Sequence, residues 1–167
     1  RFQNIVANTG DWIWETDAQG RYTYSSSIVK QVLGYKYQEM LGKHFYDFFV
    51  PEEREKLKKA ALKAFKKKNK FQNLINKNVN KNGYIVFLET SAIPLLDNKG
   101  DLLGYRGVDR DITERKKIEQ TQLVLYNITD AVNKTRDLNE FYKIIHEQLS
   151  SIIDTTNYYV ALYDKET

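Results

Sequence analysis

Two histidines, His44 and His146, and no cysteine make up the chain's whole stock of imidazole and thiol. Without cysteine there are no disulfides, thiolate metal sites, cysteine nucleophiles or cofactors tethered through a cysteinyl sulfur. With so little imidazole, metal ligation and general-base chemistry would have to run on carboxylates alone. Aromatic rings and lysines, by contrast, are plentiful. Phe45, Tyr46, Phe48 and Phe49 crowd into one short stretch, and Trp12 and Trp14 stand two residues apart. Rings grouped in this way either fill a core or line a pocket for a small organic molecule.

The lysines gather between Lys56 and Lys70, in KLKKAALKAFKKKNK. Leu57, Ala61, Ala64 and Phe65 recur there at i, i+4, i+7 and i+8, one face of a helix, which leaves the lysines on the other face. A solvated helix surface accounts for the pattern. Nucleic-acid binding would call for aromatics interleaved with the lysines, and the one present, Phe65, falls on the apolar side. The net charge of +4 is modest, and no nucleic-acid partner is expected.

A third group, Asp111, Ile112, Thr113 and Arg115, reads as a joint. Thr113 suits the N-cap of a following helix, its hydroxyl accepting a first-turn N–H. Asp111 would stabilise the same positive helix end or pair with Arg115. Ile112 would anchor the preceding strand in the core. Such a joint couples the position of a strand to that of a helix.

These residues need elements to hold them. The chain of 167 residues, 41% hydrophobic and 29% charged, suits one well-buried domain with a second unit begun. It starts at Arg1 and reads as a piece of a longer protein. No apolar run nears the roughly 20 residues that cross a bilayer. A cytoplasmic location is expected, with a membrane anchor elsewhere in the parent left open.

Phe2, Ile5 and Val6 sit at helical spacing in the first segment. DWIWETD then alternates as a strand with Trp12, Trp14 and Thr16 on one face. A turn over Ala18–Gly20 leads into RYTYS, with Tyr22 and Tyr24 expected on one side. Two short helical pieces follow, the first opened by capping serines, and they end at Gly34 and Gly42. Pro51 opens the lysine-rich helix. Period two returns in FQNLINKNV, YIVFLETSAIPLL and LLGYRGVDRDI, separated by turns at Asn80–Gly83 and Asp97–Asp101. The expected fold class is α+β, a five-stranded antiparallel sheet with helices on one face.

Beyond Thr113, Ile118, Leu125 and Val132 recur every seven residues with Ile128 beside them, a short coiled-coil-like register weakened at Thr121. These four residues are the expected interface of a parallel homodimer. Asp137 and Glu140 have capping-box spacing. Phe141, Ile144, Ile145, Leu149, Ile152 and Ile153 form an apolar stripe, and Tyr158–Asp164 alternates like a strand.

Three segments together resemble a PAS domain with its PAC motif. They are DWIWETDAQGRYTYSS, VLGYKYQEMLGKHFYDFFVPEER and GYRGVDRDITERKK. The resemblance implies a PAS/PAC sensory domain over 1–113 and a signalling linker helix over 114–134. Residues 135–167 resemble the incomplete opening of a GAF domain. The family senses small molecules, light or redox state between sheet and helices, and biases a dimeric linker helix that feeds a kinase, a cyclase or another output domain.

Cofactors of that family can be weighed against the residues. A light-sensing flavin domain would need a reactive cysteine. A haem domain would usually offer a histidine in the long helix, where there is none, and His44 better suits a helix start. Non-covalent flavin, stacked on the tryptophans, stays open. A small organic ligand or none is the leading expectation, with Trp14, Phe45, Tyr46, Phe48 and Phe49 as candidate pocket residues. IIHEQLSSI also resembles the phospho-accepting helix of histidine kinases. Leu149 and Ser151 stand where that motif has arginine and proline, so a kinase fragment with its acceptor at His146 is the alternative. The expected function is a non-enzymatic sensory and signal-transmitting module, or dimerisation scaffold, of a multidomain signalling protein such as a sensor histidine kinase.

Overall fold

The computed structural model describes residues 10–134 and 137–153. The expected helical start around Phe2, Ile5 and Val6 and the expected strand at 158–164 lie outside the described residues. The chain divides into two compact units, 1–113 and 114–167.

In the first unit the strands are β1 (Trp12–Asp17), β2 (Tyr22–Ser25), β3 (Phe71–Val79), β4 (Ile85–Leu96) and β5 (Leu102–Asp111). They form one antiparallel sheet in the order β2-β1-β5-β4-β3, as expected. Between β2 and β3 lie α1 (Val29–Val32), α2 (Tyr37–Met40), a 3-10 turn (Phe45–Phe48) and α3 (Pro51–Lys66). Pro51 occupies the first turn of α3, where its missing N–H costs nothing.

Three sheet turns repeat one design. Asp17 Oδ1 accepts from the N–H groups of Gln19 and Arg21, Asn80 Oδ1 from those of Asn82 and Tyr84, and Asp97 Oδ1 from those of Lys99 and Asp101. Each turn needs a left-handed residue three places on, and Gly20, Gly83 and Gly100 supply it at φ of 82°, 85° and 83°.

The inner sheet face and the helices enclose Trp12, Tyr22, Leu33, Met40, Leu88 and Tyr105. Trp12 Nε1 donates to Ser25 Oγ at 2.9 Å, which lets the indole be fully buried. Trp14 sits opposite Gly107 on β5, and a Cβ there would lie 2.3 Å from the indole. Glycine is what allows the ring to lie against the strand.

Two expectations are corrected. Tyr22 and Tyr24 do not share a face: Tyr22 is 5% exposed and Tyr24 36%. The β1–β2 register shifts between Glu15 and Thr16, so Thr23 is extra and Tyr22 and Ser25 take the buried side. The serines do not cap α1 either, whose N-cap is Ile28 without a side-chain bond. Ser25 is held by Trp12, and Ser26 Oγ accepts from Ile13 N at 3.1 Å, so both serve the hairpin.

The helix α4 (Thr113–Lys134) starts at the last residue of the first unit, and α5 (Leu138–Leu149) follows it in the second. Asp137 caps α5, accepting from Asn139 N at 2.9 Å. Val124, Asn127, Ile128 and Ala131 share one face of α4. Asn127 Nδ2 on that face donates to Gln148 Oε1 of α5 at 2.7 Å, and Val124 and Ala131 are buried. Ile118, Leu125 and Val132 are exposed.

Candidate functional site

A half-open pocket lies between α3 and the inner face of the sheet, with about 490 Å³ of free space when its mouth is included. Its apolar side is aromatic. Phe65 of α3 stacks on Tyr105 with ring centroids 4.1 Å apart, and Phe45 lies 5.5 Å from Phe65. Tyr105 is anchored in turn by its hydroxyl, which donates to Asn69 O at 2.8 Å. Trp14 and Tyr22 close the end towards β1 and β2, in edge-on contact at 6.0 Å.

The sheet side is polar, which is unusual for a surface facing a core. Asn76 and Asn78 of β3, Thr90 of β4 and Asp109 of β5 all line the pocket. Alternation along β3 turns both asparagines inward and leaves Ile75 exposed on the opposite face. Asn78 Nδ2 donates to Asn76 Oδ1 at 2.6 Å, and Asn76 Nδ2 donates to Thr90 Oγ1 at 2.8 Å. Thr90 pairs directly with Asp109 across the β4–β5 ladder. The strip therefore runs over three strands and ends on a carboxyl group.

Asp109 is 5% exposed. Burial raises its pKa to about 7, while the nearby Trp14 indole and Thr90 hydroxyl pull it back towards the ionised form. Neither Asp109 Oδ1 nor Trp14 Nε1 completes a hydrogen bond. Buried polar atoms left in this state are costly, and they mark where a partner would fit. The Tyr22 phenol is pushed well above its ordinary value by burial, then by the charges of Asp109 and Asp47.

Trp14, Phe45 and Phe49 line this pocket. Phe48 packs instead in the core against Tyr22 and Tyr35. Tyr46 stacks on His44 at 4.6 Å, outside the pocket. His44 begins the 3-10 turn, its backbone N–H donating to Asp47 Oδ2 at 3.0 Å. Sequence reasoning missed Asn76, Asn78, Thr90 and Asp109. The available signal was the alternation of β3, which sets Asn76 and Asn78 on one face and Ile75 on the other.

The joint is built differently from the expectation. Thr113 N donates to Asp111 Oδ1 at 2.8 Å, so Asp111 supplies the cap at the start of α4. The Thr113 hydroxyl does not accept from the helix's first turn; it accepts from Phe87 N of β4 at 3.0 Å. Ile112 is buried, and its N–H donates to Phe87 O at 2.9 Å. Arg115 pairs with Glu119 at 3.6 Å. His146 is exposed on α5, away from the half-buried Phe141, Ile144, Ile145 and Leu149. Among the described residues no helix is long and apolar enough to cross a membrane.

Residues 10–114 match the family described as PAS domain. The chain is 32% identical over 98 residues to the aryl hydrocarbon receptor nuclear translocator homolog of Drosophila melanogaster, over 59% of this chain and 15% of that protein. It is 27% identical over 115 residues to sporulation kinase C of Bacillus subtilis, over 69% of this chain and 26% of that kinase. The chain thus spans only a small part of either curated relative. A solved structure described as a sensory box histidine kinase/response regulator, from Burkholderia thailandensis E264, shares the fold. It has a TM-score of 0.60 and 22% identity, covering 75% of this chain and 95% of that chain.

Proposed function

Because this chain belongs to the PAS domain family, we propose that it is the sensory and signal-transmitting module of a larger signalling protein. A small organic ligand occupies the pocket between α3 and the sheet. Its presence is passed through Asp111, Ile112, Thr113 and Arg115 to the linker helix, and from there to a kinase or other output domain. The chain forms a parallel homodimer through Ile118, Leu125, Ile128 and Val132. Residues 135–167 begin a GAF-like unit.

One observation carries this reading: the pocket and the joint are built on the same two strands. Thr90 and Asp109 face the pocket, while Phe87, three residues before Thr90, and Asp111, two residues after Asp109, hold the helix start. Whatever shifts the central strands at the pocket also shifts the residues that orient α4.

Native mass spectrometry of the freshly purified chain tests this. A dimer carrying added mass, removed on denaturation, is the expected result. A bare dimer would reduce the module to a dimerisation scaffold. A bare monomer would overturn the proposal.

A further inference from the structure

Building on the reading of this pocket as a ligand site, we propose that it selects a flat apolar molecule carrying a protonated nitrogen, an ammonium or amidinium group, with Asp109 as counter-ion.

The argument rests on what the pocket contains and lacks. Asp109 is buried, and its Oδ1 has no hydrogen-bond partner. No lysine, arginine or histidine lines the pocket, so the chain supplies no internal counter-charge there. A buried carboxylate in that position calls for a donor, and a cationic donor offsets its charge as well.

The polar strip points the same way. Asn78 donates to Asn76 and Asn76 to Thr90, which leaves the Thr90 proton free for Asp109. Trp14, Tyr22, Phe45 and Phe65 surround the remaining space with ring faces and edges. Such walls suit a planar body and favour a nearby cation through their quadrupoles. Carboxylate and phosphate ligands would meet the charge of Asp109 with nothing to compensate it.

Occupancy should depend on pH. Asp109 titrates near 7, and a cation binds its ionised form. Tyr22 from β2 also faces the pocket, but it titrates far above neutrality, and Asp47 of the 3-10 turn acts on it from outside. The groups facing Asp109 from β1, β3, β4 and α3, namely Trp14, Asn76, Thr90 and Phe65, do not titrate.

The test is calorimetry on the whole chain with benzylamine, benzamidine and tryptamine, each beside its neutral counterpart benzyl alcohol, benzamide or tryptophol. At least one cation is expected to bind tenfold or more tightly than its counterpart at pH 8. Its affinity should fall up to about tenfold per unit as pH drops below about 7. Asp109→Asn should remove the preference and leave the neutral partner within twofold. The pH series on the unaltered chain needs no variant and stands if Asp109→Asn misfolds. Equal binding of cations and neutral partners, or affinity that rises with acidity, overturns the counter-ion role and leaves the pocket reading intact. No binding by either set overturns both.

Discussion

Thr90 lies directly opposite Asp109 across the β4–β5 ladder, so the last hydroxyl of a three-strand polar strip meets a buried carboxyl group. Asp109 is the one carboxyl group among the residues that line the pocket. Its burial makes the acid–base behaviour of one residue measurable in the stability of the whole unit.

Asp109 keeps its proton in the folded chain up to about pH 7, whereas an unfolded aspartate loses it near pH ~4. Between those values the native state binds more protons than the unfolded state, so stability falls as pH rises through the window. The loss is on the order of a few kcal/mol. Asp109→Asn should abolish this slope and be more stable than the parent at pH 8. Urea denaturation of both proteins from pH 4.5 to 8 measures it, and parallel curves would refute it. The comparison with the variant is needed because Glu39 and Glu119, whose carboxyls are held low by Lys81 and Lys116, act in the opposite sense at the acid end.

Thr113→Val removes the acceptor for Phe87 N and should cost about 1 kcal/mol, or more if that N–H stays dry. Thr113→Ser keeps the hydroxyl and should cost less. Asp111→Ala loses the cap and should cost roughly 0.5–2 kcal/mol. Thermal unfolding of the three variants ranks them, and a valine variant as stable as the parent would exclude the hydroxyl as a tie between sheet and helix.

Leu125 is 59% exposed on α4, and Ile118 is exposed one heptad before it. Replacing both by glutamate should give a folded monomer with little change in thermal midpoint, read by sedimentation velocity. Ile128 shares the face of Val124, Asn127 and Ala131, so Ile128→Glu should lower stability as well as association. A dimer that survives all three changes would place the interface elsewhere.

Gly107→Ala would set a Cβ 2.3 Å from the Trp14 ring. The indole would have to shift, at a cost of about 1–3 kcal/mol. A lower melting temperature and altered tryptophan emission are expected. An unchanged midpoint would show that the ring has room to shift.

Much of the frame was legible in the sequence. Period-two runs marked all five strands, the stretches Ala18–Gly20, Asn80–Gly83 and Asp97–Asp101 marked three turns, and Pro51 marked the start of α3. The polar strip was not legible in the same way. Binary patterning turns asparagine outward and isoleucine inward, and β3 does the reverse, with Asn76 and Asn78 buried and Ile75 exposed. Tyr24 was misplaced because a one-residue shift in pairing leaves no local mark. Thr113 looked like an ordinary helix cap, since its partner Phe87 lies 26 residues away in the chain.

Strand β5 is bonded to neighbours on both sides, β1 and β4, over most of its length. A slide by one residue would turn Asp109 out to solvent and bring Arg110 into the core. A slide that kept Asp109 inward would need two residues, roughly 7 Å, and would break both ladders. Translation along the axis is therefore blocked in both directions. What remains open to this strand is torsion, a small roll about its own axis. In the proposed relay, an event at Asp109 would reach Asp111 and Thr113 as a change in the twist of this strand.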